Sequence, residues 1–143
     1  MSRFSVHVEN ILTEAGWYPG RQMADLVASW KVTLMASDGF QMFPTAERVL
    51  LEFGGLSVTQ QEPGEMCSVE PFTLDPTLAV YEGDRFHELS SSANTRLYPL
   101  GEASNFHQFL AIGENDFIYL LMNDLNLLGK NIDEALERLL RGF

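Results

Sequence analysis

Apolar residues recur along this chain in two rhythms, helical over the first third and at the end, strand-like between. Phe4, Val8, Ile11, Leu12 and Ala15 fall three or four positions apart, which predicts a helix over 2–15 with Ser2 or Ser5 as its cap and Gly16 as its stop. Trp17-Tyr18-Pro19-Gly20 reads as a turn in which Trp17 folds back to seal that helix against the core. Met23, Leu26, Val27, Trp30, Leu34 and Met35 predict a second helix over 22–37, its apolar face turned toward the first. Asp38-Gly39 closes it, and Phe40-Gln41-Met42-Phe43 reads as extended. Pro44 then suits the first turn of a third helix that buries Ala46, Val49, Leu50 and Phe53.

That helix runs into Phe53-Gly54-Gly55-Leu56, the junction between the helical and sheet-forming parts. Gly54 is expected to take the positive-φ position that closes the helix and Gly55 to let the backbone turn into a strand, Leu56-Ser57-Val58-Thr59. Gln60 to Met66, with Pro63-Gly64, reads as an exposed loop or hairpin tip. Phe72-Thr73-Leu74 is a strand broken by Asp75-Pro76, Ala79 to Leu89 a helix, and Ser90-Ser91-Ser92-Ala93-Asn94 a polar break. Arg96 to Gly101 reads as a strand ending in a turn, with Pro99 arguing for an edge or a bulge. Gln108 to Ile112 and Phe117 to Leu121, joined by Gly113-Glu114-Asn115-Asp116, form an antiparallel hairpin placed at the sheet's centre. Asn131 and Glu134 are spaced as a capping box, and Ile132, Ala135, Leu136, Leu139 and Leu140 form the stripe of a last helix stopped by Gly142 and laid on the hairpin. The fold class expected is α+β, N-terminal helices and a C-terminal helix packed on one mainly antiparallel mixed sheet, with a single domain over 1–143.

Composition adds to this picture chiefly through charge. The 143 residues, 45% apolar, suffice for one core. No stretch approaches the roughly 20 apolar residues of a membrane span, and the first residues lack the charged-then-apolar order of a signal peptide, so a cytoplasmic protein is expected. The single cysteine, Cys67, and the absence of a glycosylation sequon fit a reducing compartment. Of the net charge of −11, −10 falls between Val49 and Gly129, where twelve acids face two bases, Arg85 and Arg96. Nucleic-acid binding is disfavoured, because neutralising phosphates takes clustered Lys and Arg, and a basic protein partner is favoured.

The motifs of catalysis are missing. His7, His87 and His107 have no metal-ligand spacing, and Cys67 is far from each in sequence. No phosphate-binding glycine loop occurs, and Gly129-Lys130-Asn131 only resembles the end of one. There is no Gly-x-Ser-x-Gly, and the acids are too numerous for any pair of them to stand out as catalytic. No catalytic residue, metal ligand or cofactor is assigned, and a binding protein is the expectation.

The ordered landmarks resemble a known family. A first helix ending in Gly16-Trp17, then Arg21, a second helix ending in Gly39-Phe40, Ala46 with Leu50 and Glu52-Phe53-Gly54-Gly55-Leu56, then Pro99-Leu100-Gly101 and a closing helix are similar to the third subgroup of the SUKH superfamily. The resemblance covers nearly the whole chain and implies an α+β fold without a cofactor. It further implies an immunity protein of a bacterial polymorphic toxin system, which binds and inhibits a cognate toxin, commonly a nuclease. A non-immunity regulatory protein-binding module of the same fold is the alternative. Gly16, Trp17, Phe53, Gly54, Gly55 and Leu56 match as fold-determining positions, while Arg21 matches as either a structural residue or part of a binding surface. By charge, Glu62, Glu65, Glu70, Asp75, Glu82 and Asp84 join Arg21 as expected toxin contacts, on a monomer or weak homodimer without membrane or nucleic-acid partners.

Overall fold

The computed structural model describes residues 3–58, 71–103, 108–121 and 124–141. Three helices come first: α1 (Val6–Ala15), α2 (Ala24–Asp38) and α3 (Pro44–Phe53). Two short strands follow, β1 (Ser57–Val58) and β2 (Phe72–Thr73), then a 3₁₀ turn (Pro76–Ala79) and α4 (Gly83–Ala93). The chain continues as β3 (Leu97–Ala103), β4 (Gln108–Gly113), β5 (Ile118–Leu121) and β6 (Leu125–Gly129) and ends in α5 (Ile132–Arg141). The expected α+β class holds, and among the described residues the sheet is antiparallel throughout rather than mixed: the six strands described pair in sequence order, β1 to β6.

Strand alternation divides the core in two. Leu110 and Ile112 of β4 and Ile118 of β5 enter a large cluster with residues of α1, α2, α3 and α5. Ala111, Tyr119 and Leu121, alternating with them, join Leu97 and Phe86 in a smaller cluster under α4. Helices therefore cover both faces, and the β4–β5 hairpin lies inside the sheet because β6 extends it beyond β5. β6 had no counterpart in the sequence expectations. α5 docks chiefly on β6 and α1, and its stripe shares one core cluster with Leu110, Ile112 and Ile118 of the hairpin. Asn131 caps α5 by accepting the Glu134 N–H at 2.8 Å, while the Glu134 side chain turns to Arg138 instead of completing a capping box.

Several boundaries move for identifiable reasons. Ser5 is the cap of α1, Gly16 and Gly39 end α1 and α2, and Trp17 is buried. The apolar face of α2 meets chiefly α3 and the 3₁₀ turn instead of α1, and Met35 is 46% exposed. Residues 40–43 form no strand. The helix expected over 79–89 starts at Gly83 and runs through Ser90-Ser91-Ser92 to Ala93, so the polar break is helical. Ser90 tolerates this by donating its hydroxyl to the Phe86 carbonyl at 2.8 Å, one turn back. β3 continues past the expected turn to Ala103, with a bulge between Pro99 and Gly101. Pro99 is admissible because β2 reaches only Glu102 and Ala103, leaving no ladder bond for it to forfeit on that side. At Gly101, φ is +155° and a Cβ would lie 1.9 Å from the Thr73 carbonyl oxygen, so only glycine allows β3 to approach β2 this closely.

The glycine pair also works differently from expectation. Gly54 has φ −59°, whereas Gly55 has φ +86° and makes the left-handed turn. A Cβ on Gly54 would sit 2.4 Å from the Leu50 carbonyl oxygen and 2.6 Å from the Trp30 ring, so Gly54 is there for close packing. Gly55 N–H donates to the Leu74 carbonyl at 2.7 Å, and Leu74 N–H to the Leu56 carbonyl at 2.8 Å, which joins the end of α3 to the start of the sheet.

Candidate functional site

Two groupings of polar residues compete for a functional role, and their geometry separates them. The first surrounds Glu52. Its carboxylate accepts Arg3 at 2.6 Å and the Trp17 indole N–H at 3.1 Å. Arg3 also makes two 2.8 Å bonds to Asp133 of α5 and lies over the Phe4 and Phe53 rings. Those bonds hold the guanidinium well above its ordinary pKa, the Asp133 bond contributing most. Trp17 stacks on Phe53, with Phe4 edge-on to both. N-terminal residues, α3 and α5 are thus fastened together at one place.

Arg21 belongs to this hub. It is 6% exposed and donates to the Glu52 carbonyl at 2.7 Å, while Met23 N–H donates to the Leu51 carbonyl at 2.9 Å. Both carbonyls are in the last turn of α3, which has no intrahelical donors for them. Just before α2 a cation meets the unfavourable end of the helix dipole, but in space Arg21 stands at the favourable C-terminal end of α3. Burial lowers its pKa from the ordinary arginine value.

The second grouping is where α2 ends and α4 begins. Asp38 accepts Tyr81 N–H at 2.9 Å and Gly83 N–H at 2.7 Å, capping the entrance of α4 from the neighbouring helix. Burial pushes the Asp38 carboxyl up, but the Ser37 hydroxyl and these two N–H groups outweigh it and hold the pKa below its usual value. Tyr81, expected inside a helix, instead occupies a left-handed turn with φ 75° and is 86% exposed. Glu82, Asp84 and Glu88 follow it and enter no ion pair among the described residues.

Of the expected toxin contacts, Arg21 lies in the hub, and Asp75, Glu82 and Asp84 lie around the 3₁₀ turn and the start of α4. Glu62, Glu65 and Glu70 lie outside the described residues, as do Cys67 and His107. Asp75 caps the 3₁₀ turn, accepting Thr77 N–H at 2.9 Å and the Thr77 hydroxyl at 2.5 Å. Glu82 and Asp84 open α4 beside Tyr81. Other acids of the same stretch are occupied: Glu52 in the hub, Glu114 with Arg96, Asp116 with Arg48, and Glu102 buried in β3. Tyr81 and the exposed apolar side of α2 were missed. The available signal was Val32, Met35 and Ala36, which lie beyond the single stripe that a helix buried on one side requires.

Nothing in either grouping forms a catalytic arrangement. His7 bonds the Leu140 carbonyl at 3.2 Å, whereas His87 lies on α4, across the sheet. His87 lines a pocket of about 210 Å³ with Asp38, Ser90 and Arg96, but Asp38 is engaged in capping and Arg96 in a two-bond pair with Glu114. Among the described residues no group of three or more His, Cys, Asp or Glu could hold a metal ion, and no helix is long and apolar enough to cross a membrane.

The fold and these groupings define an α+β protein, an antiparallel meander clad in helices on both faces, whose polar bonds around Glu52 join the N-terminal residues, α3 and α5. A family model described as SUKH-3 immunity protein matches residues 4–142, and the chain belongs to the SUKH-3 immunity protein family. No curated protein and no solved structure matches it. Membership gives the chain an immunity role and implies a cognate toxin as its partner.

Proposed function

We propose that this protein is the stoichiometric inhibitor of a basic nuclease toxin from a bacterial polymorphic toxin system, acting in the cytoplasm of the producing cell by binding, not by catalysis. The observation that carries this reading is the excess of acid: twelve acidic residues against two basic ones between Val49 and Gly129. A nuclease must present a positive groove to its phosphate substrate, and an acidic inhibitor gains from that groove both complementarity and a faster encounter. The acids proposed to face the toxin are Glu62, Glu65, Glu70, Asp75, Glu82 and Asp84.

Co-expression with the toxin encoded by the adjacent gene tests the role. Cells carrying both are expected to grow and cells carrying the toxin alone to die; death of both would refute it. Purified, the pair should form one-to-one, with an association rate that drops about a hundredfold between low and high salt. A salt-independent rate would remove the electrostatic part of the proposal.

A further inference from the structure

We infer that the toxin is gripped across the outer side of α2 and the Tyr81 turn, an apolar groove with an aromatic post and an acidic rim; this rests on the inhibitory role proposed above. A helix packed on a core from one side needs one apolar stripe, and Val27, Trp30 and Leu34 supply it. α2 carries a second. Val32, Met35 and Ala36 lie on the opposite side, Val32 is 71% exposed, and with Phe40 and Met42 they line a groove of about 540 Å³. A contiguous exposed apolar surface costs solubility and marks an interaction site more often than an accident.

The groove and the Tyr81 turn form one surface. Asp38, at the end of α2, lines a neighbouring pocket that shares Phe40 and Gln41 with the groove, and it is Asp38 that holds the Tyr81 N–H. Tyrosine in the left-handed region is uncommon and unfavourable, and here its ring packs into solvent, so folding obtains nothing from it. An outward-facing tyrosine on a backbone held by Asp38 is instead of the residue type that dominates protein–protein affinity.

Charge selects the occupant. Glu82 and Asp84 follow Tyr81 and Glu88 lies a turn further along α4; against these three acids stands one cation, Arg85, whose Nε is buried without a hydrogen-bond partner among the described residues, so the segment keeps a net negative charge. Lys31, which also lines the groove, is neutralised by Glu47 at 2.5 Å. The rim is therefore negative, and two copies of a chain carrying −11 would bring like rims together on a two-fold axis. A basic partner with an apolar cleft for Tyr81 fits; a second copy does not.

Tyr81→Gly and the pair Val32→Ser with Met35→Ser separate binding from folding, because glycine relieves the turn and the two serines replace exposed side chains. The probe is the catalytically inactivated toxin domain encoded by the adjacent gene, measured by calorimetry. Tyr81→Gly should weaken binding roughly thirtyfold, with a melting temperature equal to or above that of the wild type, and the double variant at least tenfold. Wild-type affinity in both variants overturns the inference. So does loss of binding only on changing Glu62, Glu65 and Glu70 to Lys, which would leave the inhibitory role intact and move the interface. Wild-type protein that fails to bind the domain at all sinks the role and the inference together. Ultracentrifugation showing a dimer that the double variant abolishes, with toxin binding unaffected, assigns the groove to a second copy and also overturns it.

Discussion

The Glu52–Leu56 hub and the outer side of α2 are both rich in large apolar and charged side chains, yet they are built on opposite terms. In the hub the polar groups are bonded to one another: the Glu52 carboxylate accepts from Arg3 and Trp17, its carbonyl accepts from Arg21, and Gly55 N–H donates to the Leu74 carbonyl. On the outer side of α2, Val32, Met35 and Tyr81 are left to solvent. The lesson concerns where family identity and partner choice reside. The short motif by which the chain is recognised holds the fold, whereas the surface available to grip a partner carries no motif. A scaffold of this kind can change its toxin by altering exposed residues without touching the hub.

The largest effect should come from placing a side chain in the middle of the hub. Gly54→Val puts a Cβ within 2.4 Å of the Leu50 carbonyl oxygen, and backbone cannot yield as a side chain can. The loss should exceed about 4 kcal/mol, enough to abolish cooperative unfolding in a circular-dichroism melt. Immunity would vanish only as a consequence. A folded, soluble Gly54→Val protein that no longer protects cells would make the hub a binding site and erase the contrast with α2.

Arg21→Met sharpens the contrast at lower cost. Methionine fills much of the same space but leaves the Glu52 carbonyl without its donor, which should cost about 1–3 kcal/mol and lower Tm by roughly 3–10 °C. Chemical denaturation measures the first and a thermal melt the second. Toxin affinity, corrected for the folded fraction, should not change. An affinity loss with an unaltered melt would return Arg21 to the binding surface.

The parts of the fold legible in the sequence were those whose cause is local. The stripes of α1, α3 and α5 and the β4–β5 hairpin are periodicities within one segment, and they were placed to within a few residues. What escaped was decided elsewhere in the chain. That Gly54 must be glycine for space rather than for φ depends on Trp30 and the Leu50 carbonyl, which occupy the place of its Cβ. Arg21 stayed open between a structural and a binding role because the helix end it serves, that of α3, is 31 residues away, at Glu52. The three serines of α4 broke the apolar pattern without breaking the helix. For the site, acidity was legible as a total, but the ion pairs that occupy Glu114 and Asp116 were not. Tyr81 could be found only once Asp38 was seen to hold its turn.

The smallest predicted effect probes a residue that belongs to neither region. Glu102 opposes Thr73 and Phe109 across the sheet, is buried, and has Oε2 without a hydrogen-bond partner among the described residues. Burial first, and then the neighbouring Asp75 carboxylate, push its pKa above the ordinary value. The fold therefore favours the protonated form. Below the unfolded-state value of about 4.3 both states are protonated and Glu102 costs nothing. As pH rises through the folded-state value the fold must ionise it, and the penalty reaches its full size. Glu102→Gln, which cannot ionise, should thus be more stable than the wild type at pH 7, by about 1 kcal/mol or less, with the difference closing toward pH 4. Melting both proteins across this range measures it. A variant less stable at pH 7 than at pH 4, relative to the wild type, would mean that the carboxylate is ionised and partnered in the fold. Glu102 would then be a second bonded anchor of the kind seen at Glu52.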